Sequence, residues 1–347
     1  MKQRSIFKRI ACFAIAFALI IGMDSFALAD SFDLNSDMEE YISTVLPRYL
    51  EVEGLYYDDV KISNGFHVEG NNNPNARTFF VFSGDQTIGV LNVTQKDGKL
   101  YSTFYFESNL EVENALENGT RIALQKSQVN NCNDIVISVE PANSTFSDVS
   151  TNLEYSTIEL TPVTIYSQAN YISRQIDNDS DYYVYLSELP YISNTTINNV
   201  GICWAACVAS IANYRVGTNY TASSLYYALK EEYGGTPEGT NVWYSRGYNL
   251  CNMSATVTST LQWQTLYSLL SSGKPIIFRM TDGAFLFPTK HAIVLKMFSG
   301  GNDYTTYGFM DPNFSTMRTV YMTGSLDPND FVYASGSTDY SWYGSVY

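Results

Sequence analysis

Histidine is nearly missing from this chain: 347 residues include two, His67 and His291. Cysteine is scarce too, and none of the five forms a Cys-x-x-Cys pair. A zinc site therefore lacks ligands of the usual kind and spacing, and neither a metal nor a cofactor is expected. Wide, uneven spacing of the cysteines also excludes a disulfide scaffold. Positive charge is in short supply, with 20 Lys and Arg against 35 Asp and Glu, for a net charge of −15. That balance disfavours nucleic acid and anionic membranes as partners, since both are negative. Beyond the first thirty residues, no uninterrupted apolar run approaches the length of a membrane span.

What is present at the start is a targeting pattern. Lys2, Arg4, Lys8 and Arg9 form a basic patch, residues 10–21 are largely apolar, and Ala27-Leu28-Ala29 has the small-x-small form of a cleavage site. Residues 1–29 are expected to be a signal peptide, with Asp30 as the mature N-terminus and an extracellular product. Losing four cations and one anion would move the net charge from −15 to −18.

The remainder divides into two parts and a linker. Residues 30–140 read as a small α+β domain. Ser36 and Glu39 have capping-box spacing, and Met38, Tyr41, Ile42, Val45 and Tyr49 follow a helical period, with Pro47 as an expected kink. Strand patterns follow at 78–82, 88–94 and 100–106, and Asp97-Gly98 marks a hairpin turn. Residues 141–188 are rich in Ser, Thr, Asn and Asp and read as a polar linker, with one strand at about 155–166. Asp177, Asp179, Asp181 and Glu188 match four positions of a calcium loop, but Tyr182 stands where its glycine is needed, so a solvated linker is expected.

From residue 189 the pattern turns helical and then strand-like. Helices are predicted at 203–215, 221–233 and 263–270, with Gly217 as a left-handed cap and Thr221 as an N-cap. Strands are predicted at 275–280, 291–298, 304–310 and 317–322, with a turn at 300–303. Helices followed by an antiparallel sheet make an α+β domain.

Cys203 stands at the predicted start of the first of these helices. Unpaired N–H groups and partial positive charge there favour thiolate over thiol and can hold an oxyanion formed beside the sulfur. Gly201, two residues earlier, permits close approach of backbone or substrate. A thiol nucleophile needs a base, and His291, at the opening of a strand, is the one imidazole in this half. A third group should accept the other imidazole N–H and fix the tautomer. Asp311 follows the next strand, where a hairpin would return it to His291, and Asn313 is an alternative third residue. Cys207 lies one helical turn from Cys203 and reads as a small core residue, while Trp204 would cover the helix start.

These residues carry a resemblance. Cys203-Trp204-Ala205-Ala206 resembles the start of the central helix of papain-like cysteine peptidases, and Lys290-His291-Ala292-Ile293-Val294-Leu295 resembles their histidine strand. Asp311-Pro312-Asn313 is similar to the bacteriocin-leader-peptidase-like branch, where an Asp-Pro pair supplies the third residue. The resemblance covers residues 189–347 and implies a papain-like fold, with Cys203 as nucleophile, His291 as base and then acid, and Asp311 orienting the ring. These families place an oxyanion glutamine before the cysteine, but none lies between Gln175 and Cys203. Asn194 and Asn198 are the candidates in its place, since an asparagine amide donates equally well from a shorter stem.

The implied function is a secreted cysteine endopeptidase acting on peptide or protein substrates. A helix followed by a meander is an order found in peptidase propeptides, so residues 30–140 are expected to inhibit the enzyme until the linker is cut, with Arg174 as a candidate point. Two rivals stand beside this reading: a transglutaminase-type acyltransferase using the same triad, and a catalytically silent binding or adhesion protein on the same fold.

Overall fold

The computed structural model describes residues 34–52, 57, 59–126, 135–140, 153–163, 182–198, 200–284, 288–300, 304–323 and 330–347. The signal-peptide segment, Cys132, Arg174 and the aspartates at 177, 179 and 181 lie outside the described residues. Helix α1 spans Leu34–Val52 with Pro47 inside it. It starts two residues before Ser36, so Ser36 is not its N-cap, because the helical backbone already includes Leu34 and Asn35.

One antiparallel sheet of thirteen strands dominates the rest of the described residues. Its strands in chain order are β1 (Val60–Ser63), β2 (Arg77–Ser83), β3 (Gln86–Lys96), β4 (Lys99–Phe106), β5 (Leu160–Pro162), β6 (Tyr182–Tyr185) and β7 (Val257–Thr258). They continue as β8 (Ile276–Thr281), β9 (Lys290–Gly300), β10 (Tyr304–Met310), β11 (Met317–Thr323), β12 (Val332–Ala334) and β13 (Asp339–Val346). Across the sheet the order is β7-β13-β8-β9-β10-β11-β4-β3-β2-β1-β5, with β12 beside β13 and β6 beside β9. The β3–β4 hairpin turns at Asp97 and Gly98, with φ of 52° and 76°, the left-handed pair that a two-residue hairpin requires. Of the strand expected at 155–166, the described residues show β5 at Leu160–Pro162, and 164–166 lie outside them.

The sheet does not stop where the sequence divides. Strand β11 pairs antiparallel with β4, setting Arg318 opposite Tyr105 and Tyr321 opposite Ser102. The N-terminal meander therefore continues the sheet that carries His291. Side chains reinforce the join. Asp339 accepts hydrogen bonds from Asn73 at 2.7 Å and Thr94 at 2.5 Å, and Tyr321 N–H donates to the Tyr49 hydroxyl at 3.0 Å.

Helices cover the C-terminal half. Between α1 and these lies α2 (Leu110–Glu117), which sequence reading missed; its eight residues are too few for a clear period, although Asn109 caps it by accepting from Val112 N–H. Helix α3 (Cys203–Val216) is buried from Trp204 through Ala212. A helix apolar on every side belongs in a core, and its four alanines let other elements approach closely. Gly217 ends it with φ 73°. Helix α4 (Ala222–Tyr233) begins at Thr221, whose hydroxyl accepts from Ser224 N–H at 3.1 Å. Helix α5 (Asn241–Leu250) was also missed. Gly247 breaks its sequence pattern, but that position faces Val208 so closely that a side chain would crowd it. Helix α6 (Trp263–Ser271) completes the layer, packing Trp263 on Phe298 of β9.

Candidate active site

The nucleophile candidate is set by a small hairpin. Thr196 pairs with Gly201 and Ile197 with Val200, while Asn198 turns between them at φ 52°. Asparagine tolerates that left-handed conformation better than most residues. Ile202 N–H then bonds Thr195 carbonyl at 2.9 Å, and the Ile202 carbonyl accepts from Ala205 and Ala206. This fixes the chain direction as it enters α3, with Cys203 the first helical residue, partly exposed. The backbone amides of Cys203 and Trp204 belong to the first turn, where no carbonyl four residues back serves them within the helix.

The base candidate comes from the sheet. His291 lies on β9 opposite Met280, is 5% exposed, and packs its ring near Tyr340. Val294 pairs with Met310 across the β9–β10 ladder. Following that register past the end of the ladder brings residue 311 back toward residue 291, as the hairpin argument anticipates. His291 Nε2 lies 2.9 Å from Asp311 Oδ1, and the imidazole also contacts the Cys203 thiol. With Nε2 engaged by the carboxylate, Nδ1 is the ring nitrogen left for the sulfur.

Asp311 is buried at 1% exposure and held on both oxygens. Oδ1 also accepts from Asn313 N–H at 3.0 Å, and Oδ2 accepts from the Tyr333 hydroxyl at 2.6 Å. Burial by itself would raise this carboxyl. The His291 charge and the hydrogen bonds from His291, Tyr333 and Asn313 reverse that and hold it below the ordinary carboxylate range. Burial by itself would likewise lower the imidazole. The Asp311 charge and hydrogen bond, joined by the contact with Cys203, raise it instead to about 10. At neutral pH the pair is therefore imidazolium and carboxylate, with positive charge presented to the sulfur.

The other named residues take different places. Asn313 does not reach the imidazole through its side chain; its Oδ1 accepts from Asn194 Nδ2 at 2.9 Å. Asn194 N–H bonds Pro312 carbonyl at 2.6 Å, and its Oδ1 accepts from Thr195 N–H. Asn194 thus ties the segment before the nucleophile to the turn that carries Asp311. Among the described residues, no hydrogen bond joins Asn194 or Asn198 to Cys203. Cys207 is fully buried and free, and burial, with Cys203 and Asp311 adding, pushes its thiol well above the usual value. Cys251 is free and buried, its thiol raised to about 11 by burial. Trp204 is buried and meets Tyr244 edge-on. Tyr333 went unnamed in the sequence because one tyrosine among 28, with no motif around it, gives no signal.

Such a cysteine–imidazole–carboxylate chain, with the sulfur at a helix start, is the equipment of a thiol acyl-transfer enzyme. Residues 177–335 match the family model described as the Peptidase_C39 like family. That segment holds Cys203, His291 and Asp311, and the match supports a cysteine peptidase of the C39 and papain-like group. Among solved structures, a C39-like peptidase from Bacillus anthracis aligns at 14% identity over 41% of this chain and 98% of its own, with a TM-score of 0.28. No curated protein matches the chain.

Proposed function

We propose that this chain is a secreted cysteine endopeptidase that cleaves peptide bonds through a thioester on Cys203. The contact of one imidazole with both Asp311, at 2.9 Å, and the Cys203 thiol carries the reading. In the first step the Cys203 sulfur adds to the scissile carbonyl carbon. The C–N bond breaks as the His291 proton passes to the departing amine, leaving a thioester. Water then attacks the thioester, giving a proton to His291, and the C–S bond breaks to restore the thiolate and release a carboxylic acid. Asp311 keeps the ring in one tautomer and balances its charge throughout. The amides of Cys203 and Trp204 serve as the oxyanion donors in this reading, with Asn194 positioning the turn behind Asp311.

The N-terminal residues enter as a retained part of the enzyme instead of a departing inhibitor. The β4–β11 pairing and the bonds to Asp339 support this, because release would open a sheet edge and orphan buried polar groups. Export follows from the pattern of residues 1–29.

The test is peptide turnover and product mass for wild type and Cys203→Ala. Turnover should fall at least ~10⁴-fold in the variant, while thermal stability changes little, the replacement being slightly smaller at a partly exposed position. Products that incorporate an added amine, in place of free acid, would assign transglutaminase-type transfer. A wild-type Cys203 that reacts with iodoacetamide no faster than a model thiol would assign the silent binding protein.

A further inference from the structure

Among the described residues, Arg318 is an arginine without an acid. It lies on β11 at 2% exposure, and its guanidinium is sandwiched between the rings of Tyr105, at 3.0 Å from the centroid, and Phe314, at 3.3 Å. Those two rings are nearly parallel, with centroids 6.0 Å apart. Both faces of the cation are thereby covered, and its orientation is fixed. Its edge is another matter: Nε is buried with no hydrogen-bond partner among the described residues. A buried donor left unpaired carries its full desolvation penalty, which is larger for a charged group. None of the ion pairs among the described residues includes Arg318.

The arginine is in the lining of a cleft of about 570 Å³ formed by β2, β3, β4, the start of the third strand of a small side sheet (Ile135–Val139) and the turn after Asp311. Phe80 and Val90 give it an apolar wall, Ser315 and Thr316 add hydroxyls, and Glu107 is the one carboxylate in the lining. Asn313 is part of the lining, so the cleft abuts the turn that supplies the third residue of the active site. A guanidinium with both faces covered offers its planar N–H fork along the edge, which matches a carboxylate in a bidentate pair. The ordering that such a pair demands is already met by the two rings.

We propose that this cleft binds a carboxylate of a peptide, with Arg318 as its receptor. The peptide as carrier rests on the peptidase reading; the carboxylate site rests on Arg318 and its surroundings. The carboxylate has two sources, a C-terminal α-carboxylate or an acidic side chain, and both present the same planar anion.

Binding is measured by titration calorimetry on the full-length Cys203→Ala protein, so that no probe is consumed. The probes are acetyl-pentaalanine as the free acid, its C-terminal amide, and the amide carrying one central Glu. The free acid binding about tenfold or more tightly than the plain amide, a difference of ~1.4 kcal/mol, assigns the α-carboxylate. The same advantage for the Glu amide assigns the acidic side chain. In either case Arg318→Met should erase the advantage and Arg318→Lys, which keeps the charge but not the fork, should retain only part of it. Circular dichroism and thermal unfolding accompany each variant, and if Arg318→Met does not fold, the Arg318→Lys comparison decides. Equal binding of the three probes, no binding of either carboxylate probe, or an advantage untouched by the Arg318 variants overturns the proposal. Wild-type turnover of peptides, assayed separately, tests the peptidase reading, so a failure there and a failure here are told apart.

Discussion

Between β8 and β13 the interior is built from rings. Phe278 stacks on Trp342 at 3.9 Å and meets Phe309 and Phe331 edge-on at 5.1 and 5.5 Å. Between β1 and β4 rings are present too, but buried polar side chains are interleaved with them. Thr78 donates to Asn92 at 2.8 Å, and Ser63 accepts from Phe80 N–H. Thr94 and Thr103 reach out of this half to Asp339 and to Ala334 N–H. These bonds complete both sides: Asp339 and the Ala334 N–H belong to the ring-built half, and Asn73, Thr94 and Thr103 to the N-terminal one. A half that keeps part of its polar inventory in the other half is poorly suited to leave it.

This contrast is open to attack at several points. The largest effect belongs to the ring-built half, where the chemistry sits on a core that does not depend on it. Asp311→Ala should lower kcat/KM by roughly 10³–10⁴-fold, the scale of losing the residue that orients a catalytic imidazole. Asn313→Ala should lower it much less, since the Asn313 contact with Asp311 is made by the backbone. Steady-state kinetics on the two variants checks the ranking, and the reverse order would move the third-residue role to Asn313.

A cut through residues 141–181 probes the join directly. After such a nick the N-terminal fragment should stay with the remainder on size exclusion without denaturant, and activity should be unchanged within about twofold, because the separated groups would each forfeit ~1–3 kcal/mol. Dissociation accompanied by a rise in activity would restore the inhibitory propeptide in place of the retained part.

His291 is raised to about 10 in the folded chain, above its ordinary value. Its contribution to stability is complete below that ordinary value, declines as pH rises, and is gone above about 10. Asp311, depressed in the fold, contributes above the ordinary carboxyl range and loses that contribution as pH falls through its lowered value. The alkaline limb of kcat/KM should accordingly fall near pH 10, where the imidazolium is lost. A limb near the ordinary imidazole value would show that Asp311 does not hold the charge.

The smallest effect is expected at the seam. Burial raises the Asp339 carboxyl, with the bonds from Thr94 and Asn73 opposing, and its Oδ1 has no partner among the described residues. A raised folded value means that stability is fully present below the ordinary carboxyl range and lost as pH rises through the folded value. Asp339→Asn keeps an acceptor and removes the charge, so it should match or exceed wild type by up to about 1 kcal/mol at pH 8 and lose that advantage at pH 4. Thermal unfolding at the two values decides, and an equal difference at both would exclude a buried carboxylate as the cause.

Much of this was legible along the chain because it is local. The α3 and α4 helices, the Gly217 and Thr221 caps and the Asp97-Gly98 turn depend on residues within one turn of each other. Cys203, His291 and Asp311, which the structure brings together, could be named because a nucleophile at a helix start and a base on a hairpin leave marks at short range. Helices α2 and α5 escaped for the opposite reason: one has too few residues for a period, and the other carries Gly247, whose fitness is decided by Val208 some forty residues away.

Composition, periodicity and spacing along the chain were enough for most of the elements, the excess of negative charge and the pairing of His291 with Cys203. Tertiary structure alone decided that β4 pairs with β11, that Tyr333 holds Asp311, that Asn194 braces the Asp311 turn, and that Tyr105 and Phe314 enclose Arg318. Apart from Phe314, four residues before Arg318, these meetings join residues 22 to 219 positions apart through a ladder register or a buried contact. No local preference encodes such a meeting; it follows only when the whole sheet has closed and each buried polar group has found the partner that remains.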